Sequence, residues 1–183
     1  MSNNEDKWFF DDLGEDVDLQ IDEYDISSAP NDFNVMTLFN FIQTGSIKIP
    51  GFQRNSVWDI KKASKLIESL ILGLLVPQLF IYEQGRNNFL VIDGQQRLMS
   101  VYYFIKQRFP KKEKRAELRE IFETHNGIPD EILQNDDYFQ RFNLSLPTGL
   151  VERVNPFHGK NYATLSDYKT QFDLRPLRII VIK

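Results

Sequence analysis

The chain has 183 residues, with 22 Lys and Arg against 26 Asp and Glu, two His and no Cys. That length suits one domain with a full core. The lack of cysteine excludes disulfides, cysteine-held zinc, iron–sulfur clusters and a thiol nucleophile, and two histidines leave no multi-histidine metal cage.

No apolar run is long enough to span a bilayer and no basic-then-apolar leader opens the chain, so the expected location is the cytoplasm. Residues 1–32 hold eleven acids and a single base, Lys7, a net charge of −10, whereas 33–183 hold 21 bases and 15 acids, a net charge of +6. An acidic arm on a basic body is therefore expected. The arm is either a solvated, partly disordered leader or a flap that folds over a basic groove and competes with a polyanion, with Trp8, Phe9 and Phe10 as anchors.

Along the body, Val35, Leu38, Phe39 and Ile42 form the stripe of an amphipathic helix over 34–44, with Asn31 or Asp32 as its cap and Gly45 as its stop. A short strand follows over 47–49. Asp59 opens a second helix with Ala63, Leu66, Ile67, Leu70, Ile71 and Leu74 on one face and Gly73 near its end. The runs 78–83 and 89–92 read as a hairpin with a loop over 84–88, and a third helix carries Leu98, Val101, Tyr102 and Ile105. Further on, a charged helix is expected over 111–124, a helix over 130–142, a strand near 142–146 and a short helix over 165–172 with Ser166 or Thr164 near its start. The apolar run 177–182 reads as a buried strand. The chain stops directly after it, which points to a domain taken from a longer protein.

The chemistry concentrates in two segments. Asp93-Gly94-Gln95-Gln96-Arg97 lies between a strand and a helix, where free backbone N–H groups and the positive end of the helix dipole meet, a setting for phosphate. Gly94 would let a ligand approach the backbone closely. A capping box of Asp93 with Gln96 accounts for those two residues without a ligand. Arg97 opposes the dipole unless an anion lies nearby, and Asp93 is one such anion. The second segment, Phe52-Gln53-Arg54 to Trp58-Asp59, carries another Gln-Arg pair between a strand and a helix. Arg54 offers a planar fork for phosphate, and Trp58 either packs on the core or stacks on a base. Lys106, Arg108, Lys111, Lys112, Lys114, Arg115 and Arg119 form a basic stretch, read either as a phosphate-binding footprint for DNA or as an exposed helix.

The three segments IPGFQRNSVWD, KLIESLILGLLVPQLFIYE and FLVIDGQQRL, in that order and spacing, resemble the N-terminal domain family of GmrSD-type restriction endonucleases. The resemblance is close over 33–103 and looser over 159–182. It implies an α+β fold of the ParB/sulfiredoxin-like kind, a small mixed sheet packed with helices, spanning 33–183. It also implies nucleotide binding and hydrolysis in bacterial defence, coupled to cleavage of phage DNA. The DGQQR motif falls on Asp93 to Arg97, FQR on Phe52, Gln53 and Arg54, and the helical Glu-Ser on Glu68 and Ser69. Larger members carry a C-terminal HNH-type nuclease domain. His125 and His158 are not expected to supply one, so it would lie in a longer chain or a partner. The sulfiredoxin chemistry needs a cysteine that is absent, and no helix-turn-helix follows the core.

On this reading the chain binds and hydrolyses a nucleoside triphosphate with Mg²⁺. Gly94, Gln95, Gln96 and Arg97 hold the phosphates, Arg54 clamps them, and Gln53 or Gln95 orients the water. Asp93 caps the helix or positions the metal. Trp58, Glu68 and Ser69 complete the nucleotide site. Loss of Arg97 is expected to abolish nucleotide binding at unchanged stability. The alternatives are a metal-dependent DNA-nicking nuclease with the same cleft, and a non-catalytic sensor of nucleotide or DNA.

Overall fold

The computed structural model describes residues 28–50, 58–125, 127–148 and 154–183. Its chain begins with an edge strand, β1 (Ser28–Asn34), which runs antiparallel to β7 (Pro176–Ile182). The segment has almost no apolar alternation, and Pro30 lacks a donor, features tolerated at an edge. Because the chain stays extended to Asn34, the cap of α1 (Val35–Gln43) falls there and not at Asn31 or Asp32: Asn34 Oδ1 accepts from the Thr37 N–H at 2.8 Å. Asn34→Ala should cost about 1 kcal/mol, read as a lowered midpoint in thermal or urea unfolding.

After the two-residue β2 (Ile47–Lys48), Asp59 caps α2 (Ile60–Leu72) as its sequence suggests, accepting from Lys62 N–H at 2.8 Å. The helix ends at Gly73, left-handed at φ +75°. Arg175 reaches across from the chain's end to cap it, Nε donating to Leu70 O at 2.8 Å and Nη2 to Ile71 O at 3.4 Å. A side chain at Gly73 would collide with that guanidinium, since its Cβ would lie 2.7 Å from Arg175 Nη1.

Strands β3 (Leu79–Gly85) and β4 (Asn88–Asp93) extend well into the expected loop, leaving a tight turn in which Asn87 takes φ +56°. Helix α3 (Gln95–Lys106) then leads into β5 (Arg108–Pro110), which pairs with β6 (Phe139–Arg141) as a separate two-stranded ribbon. The charged helix is α4 (Arg115–His125), preceded by a 3-10 turn at Lys112–Lys114. The helix expected over 130–142 is a single turn, α5 (Asp130–Leu133), and the strand comes before Phe142. Asn135 Oδ1 accepts from Asp137 N–H, a local bond that competes with the helix and ends it. Burial of the Phe139 and Phe142 rings then draws the chain back beside β5. Helix α6 (Tyr168–Asp173) starts later than expected. Thr164 closes a capping box with Asn161 on the preceding 3-10 turn, Tyr162–Thr164, and does not cap α6.

The main sheet is mixed, in the order β1-β7-β3-β4-β2, with β7 parallel to β3 and β2 parallel to β4. One face, through Leu79, Ile81, Val91, Leu177, Ile179 and Val181, is buried against the helices, chiefly Val35 and Leu38 of α1, the apolar stripe of α2, and Leu98 and Val101 of α3. Phe104 of α3 meets Phe142 and Phe172 edge-on, with centroids 5.3 and 5.4 Å apart, and so ties the ribbon and α6 to this core. The run 177–182 is thus buried on one side: Ile180 and Ile182 point to the other face and remain half-buried. No helix among the described residues is long and apolar enough to cross a membrane.

Candidate functional site

The parallel pairing of β2 with β4 sets the geometry. Ile47 lies opposite Phe89 and Lys48 opposite Leu90, so both strands end on the same side of the sheet. From that side β4 passes through Gly94 into α3, while β2 passes through Ile49 and Pro50 into residues 51–57. Gln53 and Arg54, with Phe52, lie outside the described residues. The chain is described again at Trp58, whose N–H donates to Gln96 Oε1 at 3.2 Å and whose carbonyl accepts from Arg115 Nη2 at 3.0 Å. The far end of the 51–57 segment is therefore tied to the first turn of α3, and its near end leaves the sheet on the side from which β4 enters that helix.

At that start the capping box is not formed. Gly94 is the N-cap, left-handed at φ +99°, and no side chain caps the helix. Its Cβ would fall 2.1 Å from Leu79 Cδ2, so packing on β3 already requires a glycine, without any ligand. The first bond within the helix runs from Leu98 N–H to Gly94 O at 3.0 Å, which leaves the N–H groups of Gln95, Gln96 and Arg97 ahead of it without carbonyl partners in the helix. Gln96 is drawn to Trp58 and does not reach back to the cap.

Asp93 instead pairs with Arg97, Oδ2 accepting from Nη2 at 2.8 Å, and the same Nη2 donates to Gln78 O at 3.2 Å. This answers why a cation sits in the first helical turn: Asp93 balances it. The Arg97 side chain is 16% exposed and that of Asp93 67%. Arg97 Nε is buried with no hydrogen-bond partner. Since Arg97 braces Gln78, its loss would not leave stability unchanged, contrary to the expectation from sequence. Chemically, the turn offers three backbone donors, a guanidinium and one solvent-facing carboxylate at the positive end of a helix.

Glu68 and Ser69 stand roughly 12 Å along α2 from its first residue. Glu68 accepts from Asn155 Nδ2, and Ser69 Oγ donates to Lys65 O at 2.9 Å. Neither is hydrogen-bonded to the 93–97 turn.

The basic stretch is divided among several tasks. Arg108 is buried and bonded to Leu133 O, Phe139 O and Asp136, so it is a bracing residue and has no free face for DNA. Lys106 lies 3.6 Å from Asp130 and 5.9 Å from the centroids of Phe39 and Tyr102. Lys114 is paired with Glu117 at 2.8 Å, a hydrogen bond that raises the lysine's pKa and lowers the glutamate's. Lys111 is half-buried and Lys112 is exposed, and Arg119 Nε is buried without a hydrogen-bond partner.

A hollow of ≈ 510 Å³ beside Trp58 gathers Lys62, Lys112, Arg115 and Gln140, with Lys62 Nζ 4.7 Å from the Trp58 ring centroid. Sequence reasoning did not assemble this group, because Trp58 and Arg115 are 57 residues apart and only the docking of α4 joins them. Among the described residues no group of three His, Cys, Asp or Glu could hold a metal ion. His158 is exposed, its Nδ1 accepting from Leu146 N–H at 3.1 Å.

Compared with known proteins, the chain matches the family described as GmrSD restriction endonuclease, N-terminal domain, over residues 35–182. It is also similar to the uncharacterized protein MJ0686 of Methanocaldococcus jannaschii, 27% identical over 124 residues that cover 54% of this chain and 21% of the relative. The match thus spans about a fifth of that relative's length. No solved structure matches the chain.

Proposed function

Since the chain belongs to the N-terminal domain family of GmrSD restriction endonucleases, we propose that it binds and hydrolyses a nucleoside triphosphate within a DNA restriction system, with the β4–α3 turn as the phosphate cradle. The observation that supports this reading is the shared sheet end of β2 and β4, with Gln96 holding Trp58, so that the segment bearing Gln53 and Arg54 leaves the sheet on the side of the α3 start and ends tied to its first turn. Phosphate oxygens take the N–H groups of Gln95, Gln96 and Arg97, where the helix dipole favours negative charge. Arg97 turns its fork from Asp93 toward the phosphates, and Arg54 clamps them from the neighbouring segment. Gln53 or Gln95 orients the attacking water, while the Gln96 side chain positions the Trp58 backbone.

One carboxylate is a sparse ligand set, so Mg²⁺ would be held mainly through the phosphates, with Asp93 as its protein ligand. When bound, the ion neutralises charge on the phosphate oxygens. The ParB/sulfiredoxin-like relationship belongs to the same reading, as does a DNA path along the Trp58 hollow over Lys62, Lys112 and Arg115. Strand cleavage would then come from an HNH-type domain, in a longer chain or a partner, working in the cytoplasm where DNA and nucleotides are at hand.

The test is thermal unfolding with each of the four nucleoside triphosphates, with and without Mg²⁺, followed by phosphate release with and without DNA. A ligand at 100 times its Kd adds about 2.7 kcal/mol. Arg97→Ala should lower the melting temperature by the loss of about 1 kcal/mol, from its bond to Gln78, and should abolish the nucleotide-dependent rise. A full rise in that variant would remove Arg97 from the site. The basic hollow also favours a second reading, in which the turn holds a DNA backbone phosphate and the domain nicks DNA itself. Metal-dependent plasmid nicking without any nucleotide-induced rise would select it, whereas nucleotide binding without phosphate release would leave a sensor.

A further inference from the structure

The outer face of the main sheet, opposite the helices, carries an apolar patch, bordered by Arg178 of β7 and Asp32 of β1. Register places Ile182, Tyr82 and Leu90 in one row across β7, β3 and β4, and Ile180 beside Phe80 in the next, with Ile92 two residues beyond Leu90. None of these six belongs to the core or to the half-buried hydrophobics packed against it. Tyr82 is 40% exposed and Ile92 53%. A sheet with a solvated face alternates apolar with polar residues, and a contiguous apolar patch of this kind marks a contact surface.

We propose that residues 8–26 of this chain cover that face. Three observations select this occupant. The 27 residues ahead of Ser28 enter the sheet next to the patch, because Ser28 pairs with Ile182, the first member of the apolar row. Their sequence has the complementary pattern: Val17, Leu19 and Ile21 alternate with Asp18 and Gln20, Tyr24 and Ile26 follow, and Trp8, Phe9 and Phe10 stand further out. An extended chain of that pattern turns its apolar side chains one way and its acids the other. The reach suffices, since the row from β1 to β4 crosses about 14 Å and seven residues from Ser28 back to Ile21 extend about 23 Å. Lys48, which shares the outer face in register with Leu90, adds an exposed cation at the rim for the acidic side of the arm.

Because the chain has no cysteine, a single introduced thiol reports accessibility cleanly. In the full chain, Ile92→Cys should be alkylated at least about ten-fold more slowly than Lys61→Cys, on the exposed side of α2. Adding Leu19→Asp and Ile21→Asp should bring its rate to within about two-fold of that reference. Tyr82→Cys gives the same readout from a second strand should the first variant fold poorly, and circular dichroism checks each protein. Equal rates at Ile92→Cys and Lys61→Cys with the arm intact would overturn the proposal, as would protection that survives the arm substitutions. Protection that disappears on dilution, with a dimer in sedimentation, would assign the face to a second copy and overturn it too.

Discussion

Gly94→Ala is expected to destabilise the protein by about 2–5 kcal/mol, through two terms that can be separated. The first is backbone strain: at φ +99° an L side chain costs about 1–2 kcal/mol. The second is overlap with Leu79, whose Cδ2 lies 2.1 Å from the place of the new Cβ and whose side chain is fully buried. Leu79 cannot retreat, because its strand is fixed between β7 and β4 and its side chain belongs to the core, so the overlap adds about 1–3 kcal/mol. Leu79→Ala alone opens a cavity at about 2–5 kcal/mol. In the double variant the overlap is relieved while the strain and the cavity remain, so urea unfolding should give a total smaller than the sum of the two single effects by about 1–3 kcal/mol. Strict additivity would mean that Gly94 does not face Leu79, and the geometry of the proposed cradle would be wrong.

The parts of the fold that could be read from the chain are those whose signals are local. Asp59 and Gly73 bracket α2 because a cap and a left-handed stop act within one turn, and the apolar runs of β3, β4 and β7 declare themselves by composition. Strand β1 was hidden because nothing within Ser28–Asn34 favours pairing, and its partner lies at the far end of the chain. The ribbon of β5 and β6 was hidden for the same reason: each strand has three residues, and long-range burial of Phe139 and Phe142 overrides the local helical pattern. At the site, two Gln-Arg segments next to helix starts were legible as a pair. That they leave the same sheet end depends on the parallel pairing of β2 and β4, which local pattern does not encode. The Asp93 carboxylate had three sequence-based uses: cap, metal ligand or counter-charge to Arg97. The fold selects the Arg97 pair and gives the cap position to Gly94.

Arg108 gives the other large expected effect, in stability. Arg108→Ala should cost about 3–5 kcal/mol in urea unfolding, since Nε donates to Leu133 O at 2.8 Å and Nη2 to Phe139 O at 3.3 Å, both on residues with no exposed surface. Arg108→Met keeps the aliphatic stem and isolates the carbonyl desolvation, so it should retain the larger part of that loss. The Asp136 arm of the network behaves differently. Its carboxylate is 89% exposed, and its bond to Arg108 holds its pKa below the ordinary value near 3.8. A depressed carboxylate stabilises the fold at pH above its unfolded value and loses that contribution as pH falls through the folded one. Asp136→Asn should therefore leave stability nearly unchanged at pH 7 relative to Arg108→Ala, and should remove a step of acid destabilisation below about pH 3.8 that the parent chain shows. If Arg108→Met unfolded at the parent's urea midpoint while DNA binding lost salt dependence, the side chain would be a phosphate contact and not a brace. The two buried carbonyls that now depend on it argue for the opposite result.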